Sequence, residues 1–150
     1  MSRRIVSPCV GLCSTTVGDS VCRGCQRSDH EIRDWFGYDH ATREAVMQRL
    51  DGWRVAVAGH YLRVTDADRL QAQLERHGIR FRADQPALSR AVELLRVGRE
   101  RMRDIRRYGL EPREAGAGMS PVQLHEAIAT MLLARAEACR DAGDSDESMT

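Results

Sequence analysis

Four of the five cysteines lie near the N-terminus, and their spacing fits a metal site. Cys9 and Cys13 form a C-x3-C pair, Cys22 and Cys25 form a C-x2-C pair, and eight residues separate the two pairs. Such short spacings let both sulfurs of a pair turn onto one metal ion, and the glycine inside each pair favours the tight turn required. Because two pairs complete a tetrahedron, we expect Cys9, Cys13, Cys22 and Cys25 to be metal ligands.

The cysteine pattern leaves the identity of the metal open. A closed four-thiolate site is typical of structural Zn²⁺, which would contribute directly to the free energy of folding. An iron–sulfur cluster takes the same four thiolates, so spacing alone does not separate the two. We expect Zn²⁺, with an iron–sulfur cluster as the alternative.

Catalytic residues are not recognisable in the sequence. A site saturated by four cysteines leaves no open coordination position, and no nucleophile–base pair, paired carboxylates or glycine-rich phosphate loop stands out. Enzymatic activity is therefore uncertain and is not expected.

All 23 basic residues are arginines, set against 22 acidic residues, so the net charge of +1 gives no indication of a polyanionic partner. Residues 76–113, however, hold eleven arginines and five acidic residues. Arginines beside the cysteines are expected to balance thiolate charge, and those later in the chain to pair with nearby acids on a solvated face. The alternative is anion or nucleic-acid binding, for which the candidates are Arg23, Arg27, Arg96, Arg99, Arg103, Arg106 and Arg107.

The elements that would position these residues are helices. Capping residues followed by apolar residues every three or four positions predict five of them. Their expected ranges are residues 28–37, 40–62, 66–77, 84–109 and 120–141. On the fourth, the arginines from Arg96 to Arg107 would fall within one arc of about 100°. The segment Ile79 to Arg82 is expected to be a loop.

Two further features, His30 and a group of aromatic residues, have competing interpretations, and the fifth cysteine has one. His30 could replace a thiolate ligand, but it is expected in the first turn of the first helix. Four aromatic residues after the cysteines are expected to pack the metal knuckle onto the second helix, with a docking patch for a partner as the alternative. They are Trp35, Phe36, Tyr38 and Trp53. Cys139 is expected to be a small buried hydrophobic residue.

Several sequence pieces together resemble a known family. They are Ser7 to Cys13, Cys22 to Arg27, Glu31-Ile32 and Trp35. Over about residues 7–50 the chain resembles the domain-of-unknown-function family 1289 (predicted Fe-S protein, YdhL type). The resemblance implies a cysteine-bound metal but no established activity, because the iron–sulfur label is itself a prediction from the cysteines. Gln26 departs from the glycine that commonly follows the fourth cysteine.

These observations predict a mainly α protein in which a small four-cysteine knuckle packs on a helical bundle. Without a signal peptide or an apolar run long enough to cross a membrane, it is expected to be cytoplasmic and to have no membrane association. We expect a binding or regulatory module for an unidentified protein or nucleic acid; the alternative is an iron–sulfur electron carrier or redox sensor. The expected divisions are a knuckle with a short helix (1–38), a helical region (39–110), a linker (111–119), a C-terminal helix (120–142) and an acidic disordered tail (143–150).

Overall fold

The computed structural model describes the backbone of residues 18–148 and the side chains of residues 18–142. This part of the chain is mainly helical, as predicted. Its α-helices are α1 (Asp29–Asp34), α2 (His40–Tyr61), α3 (Ala67–Arg76), α4 (Ala87–Gly98) and α5 (Pro121–Ser148). Its strands are β1 (Leu62–Val64) and β2 (Leu110–Pro112), which pair antiparallel. No α-helix within these bounds is long and apolar enough to cross a membrane.

Capping side chains fix the starts of α1 and α5, as predicted. The Ser28 hydroxyl accepts the Glu31 backbone N–H at 3.2 Å, and the Glu31 carboxylate accepts the Ser28 N–H at 3.0 Å. Ser120 and Gln123 make the same reciprocal pair at 3.2 and 2.9 Å. Because these bonds satisfy N–H groups that a helix start leaves unpaired, the local sequence is enough to define both starts.

The end of α3 is also confirmed. Gly78 has a φ of +64°, the left-handed conformation that glycine adopts at little cost. The Ile79 N–H bonds the Leu74 carbonyl at 2.8 Å, and the Gly78 N–H bonds the Glu75 carbonyl at 3.2 Å. This pair of bonds is the Schellman motif, which satisfies carbonyls at the end of the helix. The loop predicted after it, from Ile79 to Arg82, is confirmed.

The predicted long helix over 84–109 is wrong. α4 ends at Gly98, whose carbonyl accepts the backbone N–H groups of Arg101 and Met102 at 2.9 and 3.0 Å. A 3-10 turn over Ile105–Tyr108 follows separately. Glycine disfavours helix continuation by about 1 kcal/mol. Met102 and Ile105 are nevertheless buried, so the apolar spacing that suggested one helix is met by a different backbone path.

The short sheet was not predicted. β1 pairs with β2 from Leu62 opposite Pro112 to Val64 opposite Leu110. β2 overlaps the start of the segment 111–119 that was expected to be a linker, and a 3-10 turn over Glu114–Gly116 lies within it. Strands of three residues carry too few positions for an alternating pattern to identify them.

Helix α5 continues past its predicted end near Asp141 and reaches Ser148. Extending a helix adds one hydrogen bond for each residue fixed, so the polar residues after Asp141 do not stop it. The helical backbone over 143–148 leaves the expected disordered tail unconfirmed, and residues 149–150 lie outside the described part.

The chain divides into two units, and the division falls inside α2 and α5. The first contains the described residues of Met1–Leu50 and Leu132–Thr150. Apolar and cysteine side chains form its core: Val21, Cys22, Cys25, Trp35, Val46, Met47, Leu50, Leu132 and Ala136. Ion pairs support it, joining Arg49 to Glu31 at 2.6 Å and Arg140 to Asp29 at 3.0 Å.

The second unit, Asp51–Met131, combines a leucine-rich core with buried charges. The core side chains are Leu62, Leu70, Leu74, Leu94, Leu95, Leu110, Leu124 and Ile128. Arg54 of α2 pairs with Glu93 of α4 at 2.9 Å, and Asp51 accepts a hydrogen bond from Ser89 at 2.9 Å. Since a buried charge is costly unless paired, these bonds specify how α2 and α4 align within the unit.

We predict that Gly109→Ala destabilises the protein more than Gly118→Ala. Both glycines have left-handed φ, +76° and +79°, so alanine costs each position about 1–2 kcal/mol. At Gly109 a Cβ would also overlap the Asp66 carbonyl oxygen, whereas at Gly118 it would meet nothing within 4 Å. Urea unfolding should show a loss at least about 1 kcal/mol larger for Gly109→Ala. Equal losses would contradict this account.

The Glu31–Arg49 pair predicts a difference in acid sensitivity. Burial raises the pKa of Glu31, but the hydrogen bonds from Arg49 and the Ser28 N–H outweigh this effect, so the pKa lies below the ordinary value of a glutamate. A lowered pKa stabilises the folded state above the unfolded pKa, and this contribution is lost as pH falls through the folded pKa. At pH 7 we expect Glu31→Gln to lower the free energy of unfolding, measured with urea, by about 1 kcal/mol relative to the parent. The difference should shrink below pH about 4.5; a gap independent of pH would refute the prediction.

Candidate metal centre

A tight turn brings together the second cysteine pair. Cys22 and Cys25 are both buried, and the Gln26 N–H bonds the Cys22 carbonyl at 2.8 Å. The Cys22 N–H bonds the Arg27 carbonyl at 2.9 Å, and an antiparallel bridge joins Val21 to Ser28. The result is a small hairpin that holds both thiols on its buried side.

Gln26 sits where the hairpin turns back, with a φ of +63°. The structure describes no other non-glycine residue with positive φ. Its side-chain amide donates to the carbonyls of Arg23 at 2.9 Å and Gly24 at 3.3 Å, which holds the turn. Glycine adopts a left-handed backbone at little cost, so the glycine expected here from the resemblance would fit this turn.

The Cys22 and Cys25 thiols are both buried in this turn. Interaction with the Cys22 thiol and burial raise the pKa of Cys25 far above its ordinary value, although Arg27 acts in the opposite direction. Two adjacent buried sulfurs resist carrying two negative charges unless a cation compensates them. A metal ion at this pair would supply such compensation.

Arg27 is a cation in direct contact with the pair. Its side chain is buried, with 3% of the residue exposed, and its Nε donates to the Cys25 sulfur at 3.4 Å. The guanidinium lies 4.9 Å from the centroid of the Trp35 ring. Within the described residues no carboxylate forms an ion pair with Arg27. A buried guanidinium thus has a cysteine sulfur and an aromatic face as its neighbours.

The aromatic residues after the cysteines divide between the two predicted roles. Trp35 is buried and meets Tyr38 edge to face at 6.3 Å between ring centroids. Phe36, in contrast, is 89% exposed, and Trp53 is only partly buried. Arg43 holds the turn by donating to the carbonyls of Trp35 and Phe36, both at 2.9 Å. Core packing therefore describes Trp35, whereas Phe36 remains available for contact.

Other predicted ligand positions have different outcomes. Cys9 and Cys13 lie outside the described residues, and among residues 18–142 no group of three or more metal-binding side chains occurs. His30 lies in the first turn of α1, as expected. The prediction for Cys139 is wrong, because it is exposed. Its spacing places it on the same side of α5 as the buried Leu132 and Ala136, yet the side chain is exposed there.

Arg23 and Arg27, predicted together as anion-binding candidates, have different surroundings. The Arg23 side chain is 71% exposed and pairs with Asp19 at 3.3 Å. Arg27 is buried against Cys25 and Trp35. Of the two roles considered, Arg27 has the position that charge compensation of cysteine sulfur requires.

The later arginines do not share one helix face, since α4 ends at Gly98. Arg96 bonds Glu93 at 2.8 Å, and Arg99 donates to the Arg96 carbonyl. Arg103, Arg106 and Arg107 are exposed beyond the helix. Arg101 is exposed beside them, but the helical arc did not include it because the arc assumed a continuous helix. Whether these residues bind nucleic acid stays a prediction.

The described chain is thus a mainly helical protein with a buried C-x2-C turn ahead of its first helix. Residues 7–54 match a family described as "Protein of unknown function (DUF1289)", which confirms the resemblance seen in the sequence. The match covers about a third of the chain and includes all four N-terminal cysteines. Comparisons with curated proteins and with solved structures find no match.

Two substitutions at Gln26 test the role of its backbone. Valine is strongly disfavoured at positive φ, so Gln26→Val should lower the free energy of unfolding by about 2 kcal/mol. Glycine loses the two hydrogen bonds of the Gln26 side chain but removes the backbone strain. Gln26→Gly should therefore change the free energy of unfolding by less than about 1 kcal/mol. Urea unfolding of the full chain measures both. Equal damage from glycine and valine would show that the amide bonds matter more than φ.

Proposed function

We propose that Cys9, Cys13, Cys22 and Cys25 bind one structural Zn²⁺, and that the protein is a small binding or regulatory module for a macromolecular partner. The metal would hold the N-terminal segment in a fixed shape rather than act on a substrate. The proposed compartment is the cytoplasm, where thiols stay reduced and serve as metal ligands.

The observation that carries this proposal is the burial of Arg27. Taking a guanidinium out of water is costly unless an opposite charge lies nearby. Among the described residues Arg27 has no carboxylate partner, and its Nε points at the Cys25 sulfur. A metal-bound cysteine is a thiolate and would provide the missing negative charge.

The hairpin adds a second line of support. It buries Cys22 and Cys25 side by side, although a hairpin of this size has little apolar surface of its own. Small segments of this kind commonly depend on a metal or on disulfides for stability. The family match extends back to residue 7 and so includes the other pair, Cys9 and Cys13.

A four-thiolate Zn²⁺ site is coordinatively closed, so it favours a structural role over catalysis. The exposed Phe36 follows the buried Trp35 directly, and Arg43 fixes the backbone of both. A metal that orders the hairpin would thereby order a surface next to it. This link between metal and surface supports a binding module.

Metal analysis of the full chain tests the proposal. After anaerobic purification we expect about one zinc ion per chain and neither iron nor acid-labile sulfide. Cys22→Ser and Cys25→Ser should each lose most of the zinc, because a serine hydroxyl is a much poorer ligand for Zn²⁺ than a thiolate.

Cys139→Ser is the matched control, since it removes a cysteine that is exposed and lies outside the proposed ligand set. It should keep the zinc content of the parent. Iron with labile sulfide would replace the zinc proposal by the iron–sulfur alternative. Full zinc retention by Cys22→Ser and Cys25→Ser would reject the ligand assignment.

A further inference from the structure

The segment between α4 and β2 exposes a cluster of arginines. From Arg96 to Tyr108 the sequence has six arginines and two acidic residues, a local net charge of +4. The structure exposes four of these arginines beyond the end of α4. We call them the arginine surface: Arg101, Arg103, Arg106 and Arg107.

The backbone that carries the arginine surface is firmly held. Met102 and Ile105, interleaved with the arginines, are 7% and 5% exposed and anchor the segment to the core. Asp104 caps the 3-10 turn by accepting the Arg106 N–H at 3.0 Å. The Gly109 carbonyl then accepts the backbone N–H of Thr65 at 2.8 Å. Because the backbone is fixed, binding through these arginines would require little ordering of the chain.

Acidic neighbours neutralise only part of this charge. Asp104 lies 3.7 Å from the Arg106 guanidinium, and Glu111 pairs with Arg63 at 2.6 Å. Glu100 is exposed nearby in the sequence. Among residues 18–142 no ion pair joins Arg101, Arg103 or Arg107 to a carboxylate. The surface therefore carries a positive charge that a polyanion can neutralise.

The side chains favour a phosphate backbone over bases or a protein. Guanidinium groups bind phosphate oxygens through two parallel hydrogen bonds. The one aromatic residue of the segment, Tyr108, is half-buried beside His77 at 6.4 Å between ring centroids, which leaves no row of rings for stacking single-stranded bases. The apolar side chains between the arginines are buried, so an aromatic or aliphatic anchor for a protein partner is missing within 101–107.

We propose that the arginine surface binds the phosphate backbone of duplex nucleic acid without reading its sequence. The proposal names the class of the macromolecular partner in the proposed function. It does not depend on the metal, so either proposal can fail while the other stands.

Fluorescence anisotropy with the full chain and a labelled DNA duplex of about 20 base pairs tests it, at salt concentrations between about 50 and 200 mM. The variant R101A/R103A/R107A removes the three exposed arginines for which residues 18–142 provide no carboxylate partner. Its affinity should fall at least about tenfold, and the slope of log affinity against log salt should become shallower by about 2 to 3, because three phosphate contacts are lost.

The control R33A/R69A/R135A removes the same charge from exposed arginines elsewhere in the chain. It should bind within about twofold of the parent. The proposal is overturned if the parent does not bind the duplex, if both triple variants lose affinity equally, or if polyglutamate competes as well as unlabelled duplex. The last result would assign the surface to an acidic protein segment. Zinc content measured on the same samples separates these outcomes from failure of the metal proposal.

Discussion

A buried guanidinium with no carboxylate partner in the described chain is the constraint around which the N-terminal unit is arranged. Arg27 needs both a negative charge and a polarisable surface, and it finds cysteine sulfur on one side and the Trp35 ring on the other. Trp35 in turn lies in the core, and Arg43 ties its carbonyl to α2. The charge state of one cysteine is thus connected, contact by contact, to the packing of the first two helices.

The parts of the fold that sequence predicts well are those decided by neighbouring residues. The capping pair at Ser28 and the left-handed stop at Gly78 each use groups within a few positions of one another, so their chemistry is readable along the chain. The prediction of one long helix was wrong because Met102 and Ile105 have helical spacing in the sequence. In the structure a turn after Gly98, and not a helix, buries them. Pairing of β1 with β2 joins residues almost fifty positions apart, and no local signal specifies it.

The candidate site shows the same division. The C-x2-C spacing predicted that Cys22 and Cys25 lie in one turn, and the structure buries both in a hydrogen-bonded hairpin. Sequence could assign Arg27 to charge compensation only as one of two roles, since its burial depends on where Trp35 lies. Arg101 was not among the predicted anion-binding arginines, because a helix continuing past Gly98 would have placed it outside their arc.

The exposure of Cys139 has a practical consequence for work on this protein. A thiol on the surface of α5 reacts with maleimides and oxidants far faster than the buried Cys22 and Cys25. In air, the Cys139 thiols of two chains can be oxidised to a disulfide. A dimer seen on a non-reducing gel would then result from oxidation during preparation and not from native assembly. The same accessibility makes Cys139 a place to attach a fluorophore or spin label without disturbing the sulfur pair.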